Sequence, residues 1–262
     1  MKKIGSLLAI AGLTIVSNTQ AQFASSVVSY TQGTGANSSY NNPDAALGAP
    51  TTDIGYQNAD PFNAPYLPSD IVGLGAGGSL TLQFASPIIN NPANPYGVDF
   101  IVFGHAGFNI VNGNYSGGGI TDGSLYQGGV GVVNVSVSMD GTTYYPLIAP
   151  SSVSAQVDGL FPTDASGNPF LPVNPVLTAA SFAGQDLAGI RSLYAGSAGG
   201  TGFDLSWAGV SLSSVDYVRF EVVSGSAYID AVSEVQPVPE PASWAFIPIV
   251  GLLFSIYPRN KR

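Results

Sequence analysis

Val133-Asn134-Val135-Ser136-Val137-Ser138-Met139 alternates apolar and polar residues without a break, and Asp140-Gly141 follows directly. Successive side chains of a strand point to opposite faces, so this spacing describes a strand with one apolar and one polar face. Asp-Gly is a favoured tight hairpin turn because glycine tolerates the positive φ that such turns demand. Thr142 to Leu147 is then the returning strand. Ser79-Leu80-Thr81-Leu82-Gln83-Phe84 alternates in the same way, with Leu80, Leu82 and Phe84 on one face. The expectation is that these three share a core with Val133, Val135 and Val137, while Ser136 and Ser138 point the other way. Asp99 to Phe103 is nearly all apolar after its first residue, as in a strand covered on both faces. Tyr217 to Val223 and Ala227 to Val235 read as two further strands. No segment between them sustains a helical period. Gly113 to Gly123, Asp164 to Pro175 and Gly196 to Gly202 are loops on composition. Strands joined by long Gly/Pro/Asn loops predict an all-β, jelly-roll-like β-sandwich.

Charge narrows the function classes. All sixteen acidic residues lie between Asp44 and Glu240, and only Arg191 and Arg219 oppose them there, which leaves fourteen net negative charges. Such a surface repels phosphate backbones and offers no basic stripe, so nucleic acid is excluded as a partner. There is no cysteine, which removes disulfides, thiolate zinc sites and cysteine nucleophiles together. The segment between the chain ends has no lysine either, so Schiff-base chemistry is excluded. Its stability must come from a core, which a chain of this length can supply.

The two ends differ from the middle. Lys2 and Lys3 precede an uncharged apolar run from Ile4 to Val16, and Thr19-Gln20-Ala21 supplies small residues at cleavage positions. That is the layout of a secretion signal, residues 1–21, with cleavage expected between Ala21 and Gln22. At the other end, residues 242–257 are almost wholly apolar and Arg259, Lys261 and Arg262 close the chain. As a helix this stretch is about 24 Å long, against a hydrocarbon core of about 30 Å. Trp244 and Tyr257 stand where interfacial aromatics would, and the basic cluster is expected to remain cytoplasmic. Pro248 and Gly251 weaken the helix, which suits a transient anchor. The layout is therefore a signal helix at 1–21, a sandwich ectodomain at 22–235, and a tail with a C-terminal transmembrane helix at 236–262.

Val238-Pro239-Glu240-Pro241, the apolar helix and the basic end together resemble the PEP-CTERM sorting signal of Gram-negative bacteria, a motif also labelled the ice-binding protein C-terminal domain. The resemblance implies recognition of Pro239, Glu240 and Pro241 by an exosortase-type membrane protease, in the manner of other C-terminal signals whose tail is removed. A second resemblance runs through the domain. Asn42-Pro43-Asp44-Ala45-Ala46-Leu47-Gly48-Ala49-Pro50, Asp99-Phe100-Ile101-Val102-Phe103, Gly202-Phe203-Asp204-Leu205 and Ile229-Asp230-Ala231-Val232 look like blocks of the galactose-binding-like jelly rolls of bacterial surface proteins. That likeness implies a structural calcium ion, the one cofactor expected, and Asp44, Asp204 and Asp230 are the ligands it nominates. The chain departs from the pattern at Gly104, where an acidic residue is expected.

Catalytic signals are weak. His105 is the one histidine, no Gly-x-Ser-x-Gly elbow exists, and its neighbours make it a strand-end or loop residue. Gly73-Leu74-Gly75-Ala76-Gly77-Gly78 fits a dinucleotide fingerprint on paper, but a strand follows it where a helix is required, so it reads as a loop between strands. Asp164-Ala165-Ser166-Gly167-Asn168 faintly resembles a calcium loop, yet Pro169 and Pro175 stand at the places of its glycine and glutamate. It reads as a solvated turn. Tyr40, Tyr56, Tyr66, Tyr115, Tyr126 and Tyr194 lie in or near loops, where they either pack the loops or stack on sugars. The expected function is a non-enzymatic, exported protein of the cell surface, outer membrane or extracellular matrix, held in the inner membrane only in transit. Its expected role is structural or adhesive, with the membrane and extracellular polysaccharide as partners. The alternatives are a carbohydrate-binding module with a loop sugar site and, behind it, a secreted glycan hydrolase, which would need paired carboxylates across a cleft.

Overall fold

The computed structural model describes residues 22–127, 131–153 and 155–237. Its strands in chain order are β1 (Ser26–Thr31), β2 (Val72–Gly75), β3 (Ser79–Ile89), β4 (Phe100–Gly104), β5 (Gly107–Phe108), β6 (Leu125–Tyr126), β7 (Val132–Ser138), β8 (Tyr145–Pro146), β9 (Thr201–Phe203), β10 (Ser214–Ser224) and β11 (Ser226–Glu234). They form a five-stranded sheet in the order β1-β3-β10-β7-β8 and a four-stranded sheet in the order β2-β11-β4-β9, with β5 and β6 as a separate ribbon. All named pairings are antiparallel. The expected mostly-β chain with two facing sheets is what forms.

Register explains the core. Tyr30 lies opposite Leu80, Leu80 opposite Phe220, and Phe220 opposite Val135. One row along, Val27 pairs with Leu82, Leu82 with Val218, and Val218 with Val137. These rows meet Val72, Leu74, Phe100, Val102, Ala227, Ile229 and Val232 from the facing sheet. Each such side chain removed from water contributes about 1.5–3 kcal/mol. Leu80, Leu82, Phe84, Val135 and Val137 are buried there and Val133 packs at the margin, as the alternation predicts. Ser136 and Ser138 do take the opposite face, but they are also buried. The reason is cross-strand: Ser136 faces Arg219 and Ser138 faces Tyr217, whose long side chains cover their small neighbours.

The four-stranded sheet is covered on both sides. Phe100 and Val102 face the main core, whereas Ile101 and Phe103 join Ala198, Ala231 and Val235 on the outside. That second face lies under the excursion between β8 and β9. Here the structure corrects the expectation of a helix-free domain, because α1 (Ala179–Phe182) and α2 (Leu187–Tyr194) occur in it. Phe182, Ile190 and Tyr194 from these helices close a satellite core with Phe108, Phe161 and Val173. The turn read at Asp164 is likewise not solvated. Asp164 is 1 % exposed and takes a two-point ion pair from Arg191 of α2, Nε at 2.7 Å and a terminal nitrogen at 3.0 Å. Burial pushes its carboxyl up, but the donors of Arg191 and Ser166 outweigh that and hold it below the usual range.

The glycine-rich run is also corrected, since Gly73 to Gly75 belong to β2 and not to a loop. A Cβ on Gly75 would stand 2.2 Å from the Thr34 carbonyl oxygen. Only glycine lets the segment after β1 pass so close, and the passage is fastened by reciprocal bonds between Thr34 and Ala76.

The first and last described segments are joined. Ala24 N–H donates to Val232 O at 3.0 Å, Glu234 N–H donates to Gln22 O at 2.9 Å, and Phe23 bridges Ser233. Ala21, the motif Pro239-Glu240-Pro241 and the cluster Arg259, Lys261 and Arg262 lie outside the described residues, as do both terminal helices expected from the sequence. Among the described residues no helix is long and apolar enough to cross a membrane.

Candidate functional site on the outer face of the four-stranded sheet

The polar groups with the most unusual surroundings gather where β4 and β11 meet. β4 ends at Gly104, and a Cβ there would lie 2.4 Å from Oδ1 of Asp158. The acidic residue expected at position 104 is replaced in space by a carboxylate from a distant loop. Asp158 accepts from His105 N–H at 2.6 Å and Ala106 N–H at 2.8 Å through Oδ1, while Oδ2 meets His105 Nδ1 at 2.8 Å. Its backbone sits at φ +59, a left-handed conformation costing roughly 1–2 kcal/mol for a residue with a Cβ. Three donors to one buried carboxylate offset that cost.

A carboxylate accepts, which makes Nδ1–H of His105 the donor in this contact. The ring stacks obliquely on Tyr228 at 4.2 Å between centroids, and Tyr228 meets Tyr40 edge-on at 5.4 Å. The imidazole is thus buried and oriented between Asp158 and Tyr228. Sequence placed His105 correctly at a strand end but could not find Asp158, because nothing local links the two positions.

A second buried carboxylate lies nearby on β11. A register shift between Ile229 and Ala231 marks a bulge, which turns Asp230 outward from the main core. Asp230 accepts from Thr51 N–H at 3.0 Å and from Thr51 Oγ1 at 2.9 Å. Burial, opposed in part by these two bonds and reinforced by the charge of Asp70, raises its pKa to about 8. Asp70 accepts from Ser69 Oγ through Oδ1, whereas its buried Oδ2 has no hydrogen-bond partner.

Asp44 and Asp204 are placed elsewhere. Asp44 is exposed in the 3-10 turn Pro43–Ala46, and Asp204 caps the 3-10 turn Leu205–Ala208 by accepting from Ser206 N–H at 2.7 Å. Asp204 stands near Asp99, which is 1 % exposed, binds Asn91, Asn94 and Leu205, and is raised to about 6 mainly by burial. Among the described residues no three His, Asp or Glu side chains converge as a metal site would require. Asp44, Asp204 and Asp230 are thus not brought together.

The loop tyrosines divide. Tyr194 donates to Pro162 O at 2.9 Å, Tyr126 to Phe62 O at 2.8 Å and Tyr40 to Tyr66 O at 2.8 Å, so these three fasten loops. Tyr115 and Tyr56 are exposed, and Tyr56 lies 6.2 Å from Tyr66. Comparison with protein-family models and with curated proteins returns no match.

Proposed function

We propose that the chain is an exported, non-enzymatic surface protein whose jelly-roll-like sandwich is sorted through a PEP-CTERM tail and serves the extracellular polysaccharide matrix as a structural or adhesive component. One observation supports this most. Gln22 to Ala24 pair with Val232 to Glu234, so both flanking segments leave the domain at one place. The tail then leaves the domain beside the mature N-terminus, so that the rest of the surface faces outward while the tail is held in the membrane. The test is intact-mass measurement of the exported protein from a host with the sorting protease. A chain that begins at Gln22 and ends near Pro239 to Pro241 is expected, and retention of Arg262 would sink the sorting reading.

A further inference from the structure

Two exposed phenols stand side by side on the long connection between β1 and β2. Tyr56 lies at the tip of a tight turn, closed by the bridge between Asp53 and Asn58 and by Ile54 N–H donating to Gln57 O at 3.0 Å. Ile54 roots that turn in the interior, fully buried, and Gly55 at φ +93 lets the chain reverse. Tyr66 is pinned as well. Its carbonyl oxygen accepts from the Tyr40 hydroxyl at 2.8 Å, and the next carbonyl, Leu67 O, accepts from Asp70 N–H at 2.9 Å. The two rings are 6.2 Å apart between centroids and inclined at 45°. Tyr56 is 67 % exposed and Tyr66 38 %, so both rings meet solvent while their backbones are held.

Composition gives this pair its meaning. The segment between the chain ends has no cysteine and no lysine, which closes it to disulfides and to lysine-derived links, and Trp207 packs against the main core. We propose that Tyr56 and Tyr66 are a site of oxidative cross-linking, joined within one chain into a dityrosine by hydrogen peroxide and a haem peroxidase. Each phenol gives up one electron and its hydroxyl proton to become a phenoxyl radical. The two radicals pair in a carbon–carbon bond between Cε atoms ortho to the oxygens, and each ring returns its displaced hydrogen to oxygen. Two electrons and two protons leave in all, and they reduce one hydrogen peroxide to two waters. Exposed side chains change rotamer within picoseconds to nanoseconds, so rotation of Tyr56 brings the ring carbons together. Tyr96 and Tyr115 are also exposed, at 55 % and 77 %, but neither makes a ring contact among the described residues. They couple only with another molecule, and fourteen net negative charges on each copy oppose that encounter.

The inference goes beyond the matrix reading and rests on it only for the place where a peroxide is met. The experiment treats the purified full chain, in mild detergent, with a haem peroxidase and hydrogen peroxide at a low and a high protein concentration. The expected product is a monomer lighter by two hydrogen atoms, with the fluorescence of dityrosine and the same yield at both concentrations. Cleavage before Asp53, Asp60 and Asp70 separates Tyr56 from Tyr66, so the link is read as residues 53–59 joined to residues 60–69. Tyr56→Phe and Tyr66→Phe keep both rings and remove only the hydroxyls that are oxidised, and each should abolish the joined peptides. The proposal is overturned if the treated chain keeps its mass, if the main product is a dimer linked through Tyr96 or Tyr115, or if the joined peptides persist in either variant. None of these outcomes touches the chain ends on which the sorting reading depends.

Discussion

Gly104 shows how much a single missing side chain can decide. The space its Cβ would fill belongs to Asp158, which gathers three donors there. Gly104→Ala should therefore destabilise the domain by about 1–3 kcal/mol, the usual cost of overpacking a closed site, measurable as a lower denaturant midpoint. An unchanged midpoint would mean that Asp158 can retreat freely. Asp230 gives a second residue-scale prediction. Burial holds its folded pKa at about 8, far above the ordinary aspartate value of about 3.9, so the native state holds a proton that the unfolded chain has released. That stability is complete below the unfolded value and is lost as pH rises through the folded one. The slope approaches about 1.4 kcal/mol per pH unit at most. Asp99 contributes in the same direction only up to about 6, so Asp230→Asn should flatten the profile between about 6 and about 8. Stability measured across that interval in chelator checks it, and an unaltered slope in the variant would refute the assignment.

At the scale of elements, α2 is the piece that sequence reading missed. Its signals exist: Asp186 caps it by accepting from Gly189 N–H at 2.8 Å, Leu187, Ile190 and Tyr194 follow a helical spacing, and Ala195 closes it at φ +51. Eight residues are too few for the period to stand out from its Gly-rich surroundings, since periodicity needs a longer window. What holds the helix is tertiary. Arg191→Ala strands the Asp164 carboxylate, and breaking a buried pair costs about 3–5 kcal/mol. Arg191 itself is 43 % exposed, so about 2–3 kcal/mol is expected here. Asp186→Ala should cost only about 1 kcal/mol, the value of an N-cap. Thermal or chemical unfolding of the two variants ranks them. The ion pair does not anchor the satellite core if the cap variant is the less stable.

For the whole molecule, the joined ends turn the sorting proposal into a mutational expectation. The contacts that unite Gln22 to Ala24 with Val232 to Glu234 do not involve Glu240. Glu240→Ala should therefore leave export and domain folding intact while blocking tail processing, seen as exported chains that keep Arg262 by intact mass. Normal processing of that variant would remove the motif from the mechanism.

The sequence by itself determined the longer strands β3, β4, β7, β10 and β11 and the faces of the main core, while β2 and β9 fell in stretches that composition marks as loops. These are written locally, because alternation sets which side of a strand is apolar. Leu80, Leu82, Val135 and Val137 met as their spacing required because period two leaves one register that buries them all. The short helices, the burial of Ser136 and Ser138, and the dispersal of Asp44, Asp204 and Asp230 were decided only in three dimensions. So were the pairings of His105 with Asp158 and of Asp164 with Arg191. A buried polar group is made by a partner that can lie anywhere in the chain, and no local pattern records the distance at which folding will bring it.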